Sequence, residues 1–458
     1  MSRKNIFEFA SKLITLAALC AGLTGCGSVQ PLPTPASAPS AAPTTLPTKT
    51  EPPATATPTI TPSILLPSPG TPYDPTPWPT WTPLPDPLPK FSWDGYVLTF
   101  IKDGDLYFQD GNNQPVKLTH VGEKSYYGNI SDDNKKIFFS RNDGNSYSIN
   151  ADGTHEQVVI SKDWRSSHKT AIYLGFIPRT HLLLEEALFC ESEKWGAPCS
   201  VSLFIADADT GEIRKLTDAG LAYQKNHIDK NIAPSPDGTM IAVGTTEGTD
   251  IFSVDGELIR ENILPYKPIL EDTLLPSIFW LPDSSGITIA IPDSEYDSIA
   301  YKRPAYSIWR YSLANDLLTQ TPIDPSHITQ QFDISPDGRW IVYGGVSDAE
   351  WPLYLGDLTT GQSQIFGAAQ MAYFSWGPAS KYFAYGVSLL NMATVDDPLS
   401  AMIICGLVQW IDANHFICLN IENNASRIRM AEIVTGSIKI YDLGFSKDYD
   451  STVSIKPK

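Results

Sequence analysis

The chain has 458 residues, 42% of them apolar, with 38 prolines and a formal net charge of −18. That length holds two or three average domains or one large all-β unit. So negative a chain repels phosphate backbones and anionic lipid heads, which excludes nucleic acid and direct binding of the folded surface to a membrane.

Arg3, Lys4 and Lys12 open the chain, and an apolar stretch runs from Leu13 to Leu23. It is too short to span a bilayer and suits a cleaved secretory signal. Leu23-Thr24-Gly25-Cys26 resembles the lipobox of bacterial lipoproteins. The resemblance implies that residues 1–25 leave as a signal peptide and that Cys26 becomes the mature N-terminus. Its sulfur would then carry a diacylglyceride and its amine an acyl chain such as palmitate. Two or more chains are what a stable anchor requires, so the resemblance places the protein on the extracytoplasmic side of a membrane, at the cell surface or in the periplasm.

Residues 26–90 read as a tether. Twenty of the 38 prolines fall between Ser28 and Lys90, among Thr, Ser and Ala and almost no charge. Proline lacks the N–H that a helix or ladder needs, so this composition predicts a disordered, semi-extended segment. At about 3 Å per residue it could hold the following domain up to roughly 200 Å from the membrane. Trp78 and Trp81 are unusual in such a segment and are candidates for docking onto the domain or a partner. The signal has three bases against one acid and the tether two against three, which leaves −19 on residues 91–458.

From residue 91 a unit recurs: a polar turn followed by an apolar run. It begins at Ser92-Trp-Asp-Gly95, Ser131-Asp-Asp-Asn134, Ile177-Pro-Arg-Thr180, Ser235-Pro-Asp-Gly238, Leu281-Pro-Asp-Ser284, Ser335-Pro-Asp-Gly338, Trp376-Gly-Pro-Ala379 and Trp410-Ile-Asp-Ala413. Proline and glycine at these places predict a tight turn between two strands. Two further strands follow in most copies, as in Leu203-Phe-Ile-Ala-Asp207, then Thr210-Gly211, then Ile213-Arg-Lys-Leu-Thr217. Four short antiparallel strands cannot bury both faces alone, whereas radial stacking of such sheets can. The expected fold is therefore all-β, a β-propeller of four-stranded blades.

The Ser-Pro-Asp-Gly turn, the apolar strand, the Leu-Tyr strand and the Leu-Thr ending together resemble the TolB-type propeller repeat, related in kind to WD repeats. The resemblance covers nearly all of residues 91–443. Eight signatures imply eight blades, or seven where a signature is shared across the closure by an N-terminal strand completing the final sheet. Residues 444–458 read as a C-terminal tail.

Of six cysteines, Cys20 leaves with the signal and Cys26 is the lipid site. The other four form an even set in an oxidising compartment. Cys190 with Cys199, and Cys405 with Cys418, flank presumed hairpins, so two local disulfides are expected.

No Gly-x-Ser-x-Gly elbow is present, which excludes an appended serine hydrolase. His155-Glu156 lacks a second histidine four positions on, where Val159 stands, so no zinc-protease motif forms. Asp207-Ala-Asp209-Thr-Gly211 resembles a calcium loop only faintly and coincides with an expected turn. No metal or other cofactor is called for. Glu185 and Glu186, on a strand, would point to opposite faces; Asp293, Glu295 and Asp297 read as a solvated loop.

Four insertions break the repeats, at 190–199, 292–306, 347–352 and 389–400. Placed between second and third strands, all would leave the propeller on one face. They carry Trp195, Tyr296, Tyr301, Lys302, Arg303, Tyr306 and Trp351, and aromatic and arginine side chains dominate binding hot spots. The expectation is a monomeric, non-catalytic propeller that binds a protein, peptide or glycan on that face. The alternatives are a propeller enzyme acting on extracellular carbohydrate, or a sensor or envelope-assembly component.

Overall fold

The computed structural model describes residues 88–458 except 120–123, 169, 191–197, 224–230, 246, 267–275, 293–304, 330, 345–351, 369–372, 387–389, 399–401, 404–407, 423–424, 435–436 and 444–448. The strands pair into eight four-stranded antiparallel sheets, an eight-bladed β-propeller. Blades two to eight each use four strands in chain order; blade two, for example, runs Ser125–Ile130, Lys136–Arg141, Ser146–Asn150 and Gln157–Ile160. First strands of neighbouring blades touch, as Ile232–Pro234 does Ser277–Trp280 and Phe332–Ile334 does Tyr373–Trp376. The first strands therefore ring the axis and the fourth lie outermost.

The second strands explain why radial stacking is stable. Ile137, Phe138 and Phe139 are all at most 2% exposed. A strand sends alternate side chains to opposite faces, and here Ile137 and Phe139 pack on blade one while Phe138 packs on blade three. A sheet covered on both faces needs an unbroken apolar run, which is what these strands carry. Eight apolar clusters occupy the eight blade-to-blade interfaces, the one between blades eight and one included.

The polar turns are structural. Ser335 Oγ donates to Asp337 Oδ1 and accepts from the Trp340 N–H at 2.8 Å, while Asp337 accepts from the Arg339 N–H at 3.0 Å. Ser131 with Asp133 and Ser235 with Asp237 repeat the arrangement. Removing one such buried hydroxyl leaves a strand N–H unpaired, at a cost of about 1–3 kcal/mol. Seven of the eight turns contain a left-handed residue: at the fourth position in Gly95, Asn134, Gly238, Ser284 and Gly338, at the third in Arg179 and at the fifth in Ser380. Gly238 is required twice over, since a Cβ there would also meet the Pro178 carbonyl oxygen of the preceding blade. Ser284 and Ser380 instead use their side chains, accepting from the N–H groups of Asp237 and Asp337 one blade back.

Two sequence expectations need correction. The segment read as a tail contains a strand, Tyr449–Pro457, which pairs with Tyr96–Lys102 and becomes the inner strand of blade one. Closure is thus made from the C-terminus, not by an N-terminal strand completing the final sheet. The cause lies in the first signature: Ser92-Trp-Asp-Gly95 leads directly into a second strand, and its inner partner must come from elsewhere. The N-terminal side contributes one bridge, Lys90 to Asp442, beside blade eight. The second correction concerns the insertion in repeat seven. Leu390–Thr394 is the third strand of blade seven, with Met392 fully buried, so the extra residues follow it and precede Met402–Ile403. That connection leaves on the face of the Pro-Asp-Gly turns, opposite the other three insertions.

Candidate functional site

Because strands alternate in direction, second-to-third connections and blade-to-blade crossovers share one face, the crossover face. Three insertions lie there: between Leu182–Cys190 and Pro198–Asp207, between Gly286–Pro292 and Tyr306–Ser312, and between Trp340–Gly344 and Pro352–Asp357. Trp195, Tyr296, Tyr301, Lys302, Arg303 and Trp351 fall outside the described residues, as does Cys26. Tyr306 is described and is 4% exposed, its ring 5.2 Å from that of Phe332. It belongs to the core between blades five and six, which corrects the expectation that it faces a partner.

Cys190 and Cys199 stand directly opposite one another in the strand register of blade three. Cys418 is fully buried between blades seven and eight and is disulfide-bonded. Cys405 and the side chains of Cys190 and Cys199 lie outside the described set, so the two pairings are proposals.

What the sequence reasoning missed is the channel mouth. First strands enter from the crossover face, so their opening residues line that end of the axis. Tyr126, second in Ser125–Ile130, is 42% exposed, and Tyr373, first in Tyr373–Trp376, is 48% exposed. They are the two exposed aromatic residues among the inner-strand side chains described. Ser277, Phe279, Ser375 and Gln409 are further inner-strand residues with exposed or half-buried side chains. Two carboxylates stand on the inner strands at this end: half-buried Asp333, whose Oδ1 accepts from the Ile334 N–H at 3.2 Å, and Asp450, second in Tyr449–Pro457, whose side chain lies outside the described set. Carbohydrate hydrolysis by paired carboxylates needs two acids across a bond; beside Asp333, the described side chains of the wall offer hydroxyls, an amide and apolar groups.

Between blades two and three lies a polar group beneath the same face. Ser161 caps the short helix Lys162–Ser167, accepting from the Trp164 N–H. The helix places Trp164 and His168 against Phe204, with centroids 5.1 Å apart in both pairs. Arg165 Nη2 donates to Ser146 Oγ at 2.6 Å, and Ser146 also bonds Ser140. Below is Glu185, 0% exposed, with Tyr173 and Phe204 as its cross-strand neighbours. Neither of its oxygens has a hydrogen-bond partner, and Arg165 Nε has none either. Burial pushes the Glu185 carboxyl up to about 8, with the Arg165 charge opposing the rise. Burial likewise raises the Tyr173 phenol and lowers Arg165. Glu186, facing the other way as expected, is buried with partners of its own.

On the turn face, the faint calcium loop is a turn. Asp207 Oδ1 accepts from the N–H groups of Asp209 and Thr210, and Asp209 pairs with Lys136 at 2.8 Å and with His181 at 2.7 Å. Partial burial alone would lower His181, but its bonds to Asp209 and Asp133 outweigh this and raise it.

No family model matches the chain, and no curated protein does. Among solved structures it is similar to an oligogalacturonate lyase from Vibrio parahaemolyticus, at 15% identity over 76% of this chain and 89% of that one, TM-score 0.41. A eukaryotic initiation factor matches at 11% identity over 76% and 98%, TM-score 0.45. TolB from Acinetobacter baumannii matches at 12% identity over 61% and 65%, TM-score 0.29. At such identities the chain's own strand pairing carries the fold, and that pairing makes it an eight-bladed β-propeller.

Proposed function

We propose that this chain is an extracytoplasmic, lipid-anchored propeller that binds a protein, peptide or glycan at the crossover-face mouth of its channel and performs no chemistry on it. Anchoring rests on the signal and Cys26, and reach rests on the proline-rich tether. The observation that carries the binding reading is the pair of exposed inner-strand tyrosines, Tyr126 and Tyr373, on the face that also receives three insertions. Rigid aromatic side chains supply contact area at low entropic cost.

The test is affinity capture from membrane fractions using the full chain, with Cys26→Ala first shown to leave the membrane fraction. The Tyr126→Ala/Tyr373→Ala variant, at unchanged melting temperature, is expected to lose at least tenfold in partner recovery. Recovery equal to wild type would remove the channel mouth as the recognition site.

A further inference from the structure

Buried polar atoms in folded proteins are almost always paired, and each exception needs a cause. Here three occur together: both oxygens of Glu185 and the Nε of Arg165. The two residues feel one another's charge, yet neither oxygen bonds the guanidinium. Arg165 is held back by Ser146, which accepts from its Nη2. The carboxyl and the guanidinium are thus within electrostatic reach but not hydrogen-bonded to one another. The surroundings are apolar and aromatic: Tyr173 and Phe204 flank Glu185 across the sheet, and Trp164 packs on Phe204. The helix that supplies Arg165 has no buried residue and lies at the surface over blades two and three.

We propose that the unpaired polar atoms of Glu185 and Arg165 form a binding site for a small carboxylate. The ligand's oxygens would accept from Arg165 Nε–H and from the protonated Glu185 carboxyl, while its short apolar tail lies against the aromatic rings. A cation is disfavoured because Arg165 is already there. An anion is acceptable only while Glu185 keeps its proton, and burial keeps it to about pH 8. The charged or titratable groups that face Glu185 are Arg165 from the helix and Tyr173 from the first strand of blade three. Tyr173 stays neutral throughout this range, and the Glu185→Gln variant separates the Glu185 contribution from that of His168, which stacks on Trp164 and Phe204 in the same cluster. The site is distinct from the channel mouth and does not depend on partner capture.

Isothermal titration of the full chain with sodium acetate and sodium benzoate, against sodium chloride, tests this. Saturable binding is expected at pH 6, weakening roughly tenfold by pH 9 as Glu185 ionises. Glu185→Gln, whose amide still donates, is expected to bind with an affinity that no longer depends on pH. Arg165→Lys keeps the charge without Nε and is expected to bind at least tenfold more weakly, and Arg165→Met not at all. If neither carboxylate gives a saturable response at pH 6, the proposal is wrong. Binding that survives Arg165→Met unchanged would equally overturn it.

Discussion

Removing residues 449–458 is expected to prevent the propeller from folding to a single cooperative state. Those residues supply the inner strand of blade one, pairing Leu98 with Ile455 and Phe100 with Val453. Ile455 is 5% exposed within the interface of blades eight and one. Losing the burial of Ile455 alone costs about 1.5–3 kcal/mol, and the half-buried Val453 adds to this before any hydrogen bonds are counted. That is an appreciable part of a typical stability of about 5–15 kcal/mol. The truncation also strips links to blade two: Lys456 pairs with Asp132, and the Pro457 carbonyl accepts from Asn134. An open edge strand at the axis would follow, a ready template for aggregation. Urea denaturation followed by tryptophan fluorescence checks this, with a synthetic 449–458 peptide added in trans to restore the transition. A truncated chain with wild-type midpoint and slope would show that closure does not hold the ring together.

Replacing Glu185 with glutamine is expected to stabilise the protein at alkaline pH and to leave it unchanged near pH 4.5. The folded carboxyl holds its proton to about pH 8, against an ordinary value of 4.5. Between these limits the unfolded chain releases a proton that the folded chain keeps. Folding stability from this group is therefore complete below 4.5, falls as pH rises, and levels off above 8. The full span is on the order of 5 kcal/mol, an upper figure for a group this buried. His181 acts in the same direction, since a raised histidine stabilises below its ordinary value and loses that contribution as pH rises. It is present in both proteins and cancels in the comparison. Urea midpoints from pH 4.5 to 9 should converge at the acid end and separate at the alkaline end; parallel curves would contradict the burial of an unpaired carboxyl.

The blades were legible because each rests on local chemistry. A strand covered on both faces must be continuously apolar, and Ile137-Phe138-Phe139 is. A turn with a left-handed fourth residue selects glycine, as at Gly238 and Gly338, and the serine and aspartate beside it form bonds within five residues. The closing strand was not legible, since Tyr449–Pro457 carries no turn signature and its partner lies some 350 residues away in sequence. Leu390-Asn-Met-Ala-Thr394 reads as part of an insertion because it carries no turn signature of its own; packing of Leu390 and Met392 between blades seven and eight shows it to be a strand. Adjacent glutamates at 185 and 186 were rightly expected on opposite faces. That one of them meets an arginine from a crossover helix is a tertiary fact with no local signal. Tyr126 was equally hidden, because exposure on an inner strand depends on the width of the ring.

Site-specific photocrosslinking in cells tests recognition at the channel mouth most directly. A benzophenone amino acid placed at 126 or 373 samples the crossover face, and one placed at Thr154, exposed in a third-to-fourth turn of blade two, samples the turn face. Adducts of one partner from positions 126 and 373, and none from 154, are the predicted result; adducts from 154 alone would contradict it.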